Sequence, residues 1–312
     1  MGKPPSPDQQ RVLSTRTIVA WAIGLCLLAA VSIVVLWSLL DSGGPHSSIR
    51  LDILRTAFSI VVGGGGAAGL LLAARRQRAT ELEIAQKGHD ATETRVTELY
   101  GRAADQLGSD KAPVRLAGVL ALERLAQSHP EHRQTIVDLV CAYLRMPFDP
   151  LDDAGGAAQE LEVRQSAQQV LTGHLRPDDD AAFWPDVRLN LSAATLNTMT
   201  FTRCRVRSAS FAGARFIGPA VFRGTTFEQV ADFRNVRFTG LADFRRVTFD
   251  GEGSNFRGAA FEAEVDFGSH TSAVLTGAHA MAGSGARRKW PEGWAEDPDP
   301  DRQDWAVLVR SR

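Results

Sequence analysis

The sequence predicts a membrane α-hairpin of two transmembrane helices, then a small α-helical region, then an all-β coil of square cross-section. Three observations predict it. Two long runs carry no charge, Thr17–Leu40 with 24 residues and Thr56–Ala74 with 19. Apolar residues downstream of them, to about Arg145, take helical spacing. From Leu191 bulky apolar residues recur every five positions, a period that neither a helix nor a flat strand has.

The first run follows a short tail, residues 1–16. At helical rise its 24 residues exceed a hydrocarbon core of about 30 Å. A secretory signal has an apolar region of only about 7 to 15 residues before a small-residue cleavage site, and Leu39-Leu40-Asp41-Ser42-Gly43 offers no such site. Residues 41–55 read as a short external loop. The second run, 56–74, is shorter, and the long stem of Arg55 lets its charge snorkel to the interface. Lys3, Arg11 and Arg16 precede the first span and Arg75, Arg76 and Arg78 follow the second, while the connector carries little beyond Arg50. The positive-inside rule then places both termini in the cytoplasm of a cell-membrane protein. Gly63-Gly64-Gly65-Gly66-Ala67-Ala68-Gly69 puts small residues four apart, where two helix backbones approach closely. Packing against the first span, a homo-oligomeric seam and a hinge lining a pore all fit this run. A phosphate loop does not, since no Gly-Lys-Ser/Thr follows.

Composition excludes more than it selects. With 35 basic against 36 acidic residues there is no global attraction to nucleic acid. Cys26, Cys141 and Cys204 are scattered, without a CxxC pair, which fits a reducing compartment.

Residues 75–147 form the helical region. Val96, Leu99, Tyr100, Ala103 and Leu107 follow the i, i+3, i+4 rule until Gly108-Ser109-Asp110 ends the helix. A second helix near Val114–Gln127 has one apolar face with Val114, Ala117, Ala121 and Leu125 and another with Leu116, Val119, Leu120 and Leu122. A third, after Pro130, carries Ile136, Val137, Val140, Cys141 and Leu144. His129 and His132 are three apart, but Pro130 interrupts the helix between them and no third ligand is near, so a metal site is not expected. Cys141, in an apolar helical setting, reads as inert. Residues 148–186 are a polar linker with one helix, Ala157–Leu171.

Residues 187–275 hold the repeat. Leu191, Leu196, Phe201, Val206, Phe211 and Phe216 are five apart, and from Phe222 the period becomes eleven, with one twelve, each unit holding two phenylalanines five apart. Each side of a square coil takes about five residues. Its central bulky side chain points to the axis, and the residue two before it shares that interior and must be small. Ala209, Ala214, Ala220, Ala231, Ala242, Ser254 and Ala259 meet this demand, with Thr225, Val236, Val247 and Val265 larger.

Ala231-Asp232-Phe233, Ala242-Asp243-Phe244, Ser254-Asn255-Phe256 and Val265-Asp266-Phe267 resemble the Ala-Asp/Asn-Leu/Phe heart of pentapeptide repeat proteins. The resemblance covers Leu189 to about Phe267 and implies a right-handed quadrilateral β-helix. The segments 98–109 and 114–125, with the two spans, are similar to membrane-anchored bacterial members of actinobacterial type. Basic residues that are nearly all Arg, with abundant Ala and Gly, agree with a GC-rich bacterial genome.

No catalytic, cofactor-binding or metal-ligating residue is predicted, and no cofactor or enzyme activity. The expected partners are the lipid bilayer, an unidentified cytoplasmic protein bound by the coil, and a second copy through the glycine-rich span. Soluble pentapeptide proteins that imitate DNA before type II topoisomerases are strongly acidic. Between Asp186 and His270 eleven Arg face nine Asp plus Glu, so that reading, and nucleic acid as a partner, are disfavoured. An oligomeric channel or transport accessory is the remaining alternative, but neither span holds an ionisable residue. Arg223, Arg234, Arg245 and Arg257 each follow a core Phe and should form rows on opposite faces; such rows can bind phosphate or an acidic partner, but the favoured reading is a solvated face neutralised by Glu228, Asp250 and Glu262. The Ala157 helix with Phe183 and Trp184 is available to cap one end of the coil, and Trp290, Trp294 and Trp305 the other. Residues 276–312, with Asp297, Asp299 and Asp301 between prolines, read as a mobile acidic tail rather than a calcium loop.

Overall fold

The computed structural model describes residues 47–150, 156–251, 253–269, 271–283 and 285–311, with 24, 27, 30, 31, 33–35, 37 and 38. The tail 1–16 and most of the first expected span lie outside the described residues. Two compact units divide the chain, residues 1–91 and 92–312.

Helix α1, Ser47–Leu107, is 61 residues long. It begins within the stretch expected as a loop and continues unbroken past Ala74. The physical reason is that no proline falls between Ser47 and Leu107, and each glycine costs only about 1 kcal/mol in a helix interior. Among the described residues no helix is long and apolar enough to cross a membrane.

In the second unit Val96, Ala103 and Leu107 of α1 are buried, whereas Leu99 is exposed. Helix α2, Ala112–Ser128, starts with proline in its first turn. It buries Ala112, Gly118, Val119, Leu122, Leu125 and Ala126. That is one face, not the two expected: Ala117, Leu120 and Ala121 are exposed. Gly118 permits the close crossing, since a Cβ there would lie 2.8 Å from the Leu107 nitrogen and 2.9 Å from the Ala103 oxygen. A 3₁₀ turn, Pro130–His132, leads into α3, Arg133–Arg145, whose buried face holds Ile136, Val137, Val140, Cys141 and Leu144 as expected. Helix α4, Ala157–Gly173, follows.

The rest is a four-sided β-solenoid of about four turns. On the first face Leu189, Ala209, Ala231 and Ser254 are in parallel register. The second pairs Leu196, Phe216, Phe238, Phe261 and Ala280. The third pairs Ala220, Ala242, Val265 and Arg288, and the fourth Val206, Phe227 and Phe249. One coil therefore takes about 20 to 23 residues, and each eleven-residue unit is half a coil.

All twelve phenylalanines from Phe201 to Phe267 are buried, as are the residues two before them, which are small or β-branched except for Met199 before Phe201. Rings stack between coils, Phe222 on Phe244 at 4.8 Å and Phe233 on Phe256 at 4.6 Å, and meet edge to face within a coil, Phe233 against Phe244 at 5.5 Å. Both are geometries the ring quadrupole favours.

Corners alternate. After the first and third faces the chain turns tightly, with Ala214 N–H donating to Phe211 O and Ala259 N–H to Phe256 O. The residue before the donor, such as Gly213, Asn235, Arg246 or Gly258, has positive φ. The wider corners after the second and fourth faces hold the sixth residue. At one of them a Cβ on Gly240 would lie 2.5 Å from the backbone carbon and oxygen of Gly218, so only glycine fits that stack.

Both ends of the coil are covered. At the start Gln134 exchanges two hydrogen bonds with the Arg188 backbone, and Gln168 accepts from Asn197 N–H at 3.1 Å and donates to Asn197 O at 2.8 Å. Arg205 N–H and Arg207 N–H donate to Leu175 O and Val187 O. The edge strands thus find partners that close them to further pairing. The expected cap, α4 with Trp184, is present, Trp184 being buried with its indole N–H on Gln127. At the other end the residues expected as a mobile acidic tail are folded into strands. His279–Met281 continues the second face and pairs antiparallel with Trp305–Arg310, which forms a hairpin with Trp294–Pro298. Trp290 packs edge-on to Phe261 at 5.4 Å and closes the aromatic core.

Candidate interaction surface

The outward residues of each pentad are set by the same local rule that shapes the coil. Asp or Asn just before the core Phe accepts the backbone N–H of the residue just after it: Asp232 from Arg234 at 3.0 Å, Asp243 from Arg245 at 3.1 Å, Asn255 from Arg257 at 3.1 Å and Asp266 from Gly268 at 2.8 Å. This Asx turn shapes the tight corner, which explains the Asp/Asn of the repeat.

Where the acceptor is Asp and the following residue Arg, the guanidinium folds back onto the same carboxylate. Arg234 places Nη2 2.7 Å from Asp232 Oδ2, and Arg245 does the same to Asp243. Arg223 has Val221 two before it and reaches instead into the next coil, to Asp243 Oδ2 at 2.6 Å. Arg257 has Asn255 there and forms no ion pair among the described residues. The rows do lie on opposite faces, Arg223 with Arg245 on the third and Arg234 with Arg257 on the first. Their neutralisation differs from expectation: Asp232, Asp243 and Asp266 serve them, while Glu228 faces Arg205 and Glu262 binds Arg237. The reason is that an Asx carboxylate is held beside its own corner, whereas Glu228 and Glu262 sit on the other two faces.

The two aspartates, eleven residues apart, titrate in opposite senses. Burial pushes the Asp243 carboxyl above the usual range, Arg223 opposing this and Asp266 adding to it. Burial also raises Asp232, but the hydrogen bonds and charge of Arg234 outweigh it and hold the group below its ordinary value.

Groups with chemical potential elsewhere are tied to structure. Burial pushes the thiols of Cys141 and Cys204 up to about 12, which removes them as nucleophiles. His129 and His132 lie with ring centroids 6.2 Å apart across the 3₁₀ turn, and among the described residues no group of three potential metal ligands forms. Glu160 joins Arg115 at 2.7 Å, Arg164 at 2.7 Å and the Tyr143 hydroxyl at 2.8 Å, riveting α2, α3 and α4. His174 stacks on Trp184 at 3.9 Å with Nε2 2.8 Å from Glu123. Asp299, one of the expected tail acids, faces His279 Nδ1 at 2.9 Å and accepts the Asp301 N–H.

Sequence reasoning overlooked Gln134, Gln168, Arg215 and Arg302. The only signal available for Arg215 was its distance of 22 residues from Arg237, one coil. The glutamines carry no signal, because their partners are set by docking of the helices.

Residues 222–269 match the family described as pentapeptide repeats (9 copies). No curated protein and no solved structure matches the chain.

Proposed function

We propose that the chain is a membrane-tethered, non-enzymatic scaffold that presents its pentapeptide-repeat coil to a cytoplasmic protein. One observation carries this reading: both ends of the coil are closed by the chain's own helices and hairpin, while its flanks stay open and regular. A repeat surface of this kind offers partners an extended, evenly spaced array.

Tethering rests on the uncharged runs 17–40 and 56–74 and their flanking Arg. It is supported by Leu27, Val31, Val34, Trp37 and Leu70, all more than half exposed, an apolar display that favours lipid over water. Both termini would then be cytoplasmic, and the glycine-rich run of α1 would serve packing or self-association. The near balance of charge on the coil speaks against imitation of DNA.

Crosslinking in native membranes tests the proposal, comparing the full chain with one ending at Asp186. The expected result is a cytoplasmic protein captured only when the coil is present. Capture of the same proteins by both forms, or extraction of the full chain from membranes by carbonate, would overturn it.

A further inference from the structure

The corner between the first and second faces keeps one arginine paired locally, Arg234 with Asp232, and leaves others without a carboxylate of their own. Arg215 and Arg237 lie opposite each other in adjacent parallel strands, and like charges so placed repel. Arg237 is relieved through its Nε by Glu262, but Arg215 has no carboxylate within ion-pair distance among the described residues. Arg257, on the same corner, has Asn255 where Arg234 and Arg245 have Asp. A third guanidinium without an ion pair among the described residues arrives from the hairpin: Arg302, with Gln303 and Trp305, overhangs Asn235, Arg237 and Ala260 and leaves a cleft of about 550 Å³ between them. Among the described residues no acidic one lines this cleft. The nearby Asp299 is engaged by His279 and the Asp301 N–H, with Arg302 adding only long-range attraction.

Beyond the local pair of Arg234 and Asp232, four arginines are thus gathered against one paired glutamate, beside a half-buried tryptophan and the apolar Val236 and Ala260. Repulsion kept in a fold this regular points to an anion that relieves it. Asp301 and Asp304 on the overhanging loop oppose a continuous polyanion, which carries a charge every ~1.7 Å, but tolerate carboxylates spaced along a peptide. Three stacked coils extend about 10 Å, the length of three extended residues. We propose that this corner and its cleft bind a short acidic peptide segment of a partner protein, with an apolar side chain against Trp305. The proposal rests on the scaffold reading and names the face and chemistry of its client.

The test is selection of a displayed library of random twelve-residue peptides on the full-length protein in detergent, followed by affinity measurements on the winners. The expected result is enrichment of Asp and Glu beside an aromatic or aliphatic residue. Affinity should fall about tenfold or more in the triple variant Arg215→Glu, Arg257→Glu, Arg302→Glu. It should fall severalfold in Asn255→Asp, which supplies Arg257 with its own carboxylate at constant volume. Arg207→Glu, exposed on a different corner, should stay within about twofold. Winners without acidic bias, no winners, affinity retained in the triple variant, or tighter binding of a DNA dodecamer than of any winner would each overturn the proposal. Membrane crosslinking separates this from the scaffold reading. If the triple variant captures the client as well as the parent does, the scaffold stands and this surface falls. If the parent captures none while winners still bind the corner, the scaffold falls and the surface stands.

Discussion

Replacing Gln168 by Met removes two of the hydrogen bonds that close the first coil while nearly preserving side-chain volume. Gln168 is 4% exposed, and its amide forms with the Asn197 peptide the same pair of bonds that a neighbouring strand would supply. Each neutral bond contributes about 1 kcal/mol net, and a buried N–H or C=O left without a partner costs about 1–3 kcal/mol. The expected loss is about 2–4 kcal/mol. For the unit spanning 92–312 this lowers Tm by roughly 5–15 °C. Coil stability passes between nearest neighbours, so the loss should also appear locally. Amide exchange at Asn197 and along the first coil should accelerate, with coils around Phe244 changed less. Gln165→Met is the control, because Gln165 reaches only the Asn197 side chain, at 3.4 Å; it should cost under about 0.5 kcal/mol. If Gln168→Met and Gln165→Met have equal Tm and equal exchange at Asn197, the glutamine is not what closes the coil.

Gly240→Ala forces a methyl group against the Gly218 backbone and should destabilise by about 1–3 kcal/mol in urea unfolding, whereas Gly213→Ala, which meets no atom within 4 Å, should show only the cost of positive φ. The aspartates give opposite pH signatures. Asp232 is held below its ordinary 3.8, so it stabilises above that value and the contribution is lost as pH falls through its folded value; the deficit of Asp232→Asn should shrink on acidification. Asp243 is raised, so its ionisation penalises the fold as pH climbs from 3.8 through its folded value, and the stability of Asp243→Asn relative to the parent should improve over that interval. Parallel deficits across pH 3–7 would contradict both assignments. Cys141 and Cys204 should resist iodoacetamide at pH 8 in the folded protein and react after denaturation, as mass spectrometry would show.

The five-residue period is a local property, and it was enough to place every core phenylalanine and, for most of them, a small residue two before it. It also foretold that the Arg rows lie on opposite faces, since two units per coil follow from the eleven-residue spacing. The capping role of the Ala157 helix was legible for a related reason: an open coil end needs a cover, and one amphipathic helix precedes the first strand. The faces of α2 were less legible, because an alanine-rich helix has apolar residues on more than one side and only docking selects among them.

What the sequence by itself determined is the solenoid, because a pentad carries its own turn, its own Asx acceptor and its own core residue, with no need of distant information. The tertiary structure alone decided which charges meet across coils. Arg223 finds Asp243 twenty residues on because stacking brings successive coils within about 4.8 Å, and Arg215 meets the like charge of Arg237 one coil on for the same reason. It likewise turned the proline-spaced aspartates from an apparently mobile tail into a hairpin. Polar composition argues for disorder only while no edge is available, and the strand His279–Met281 supplies one to Trp305–Arg310.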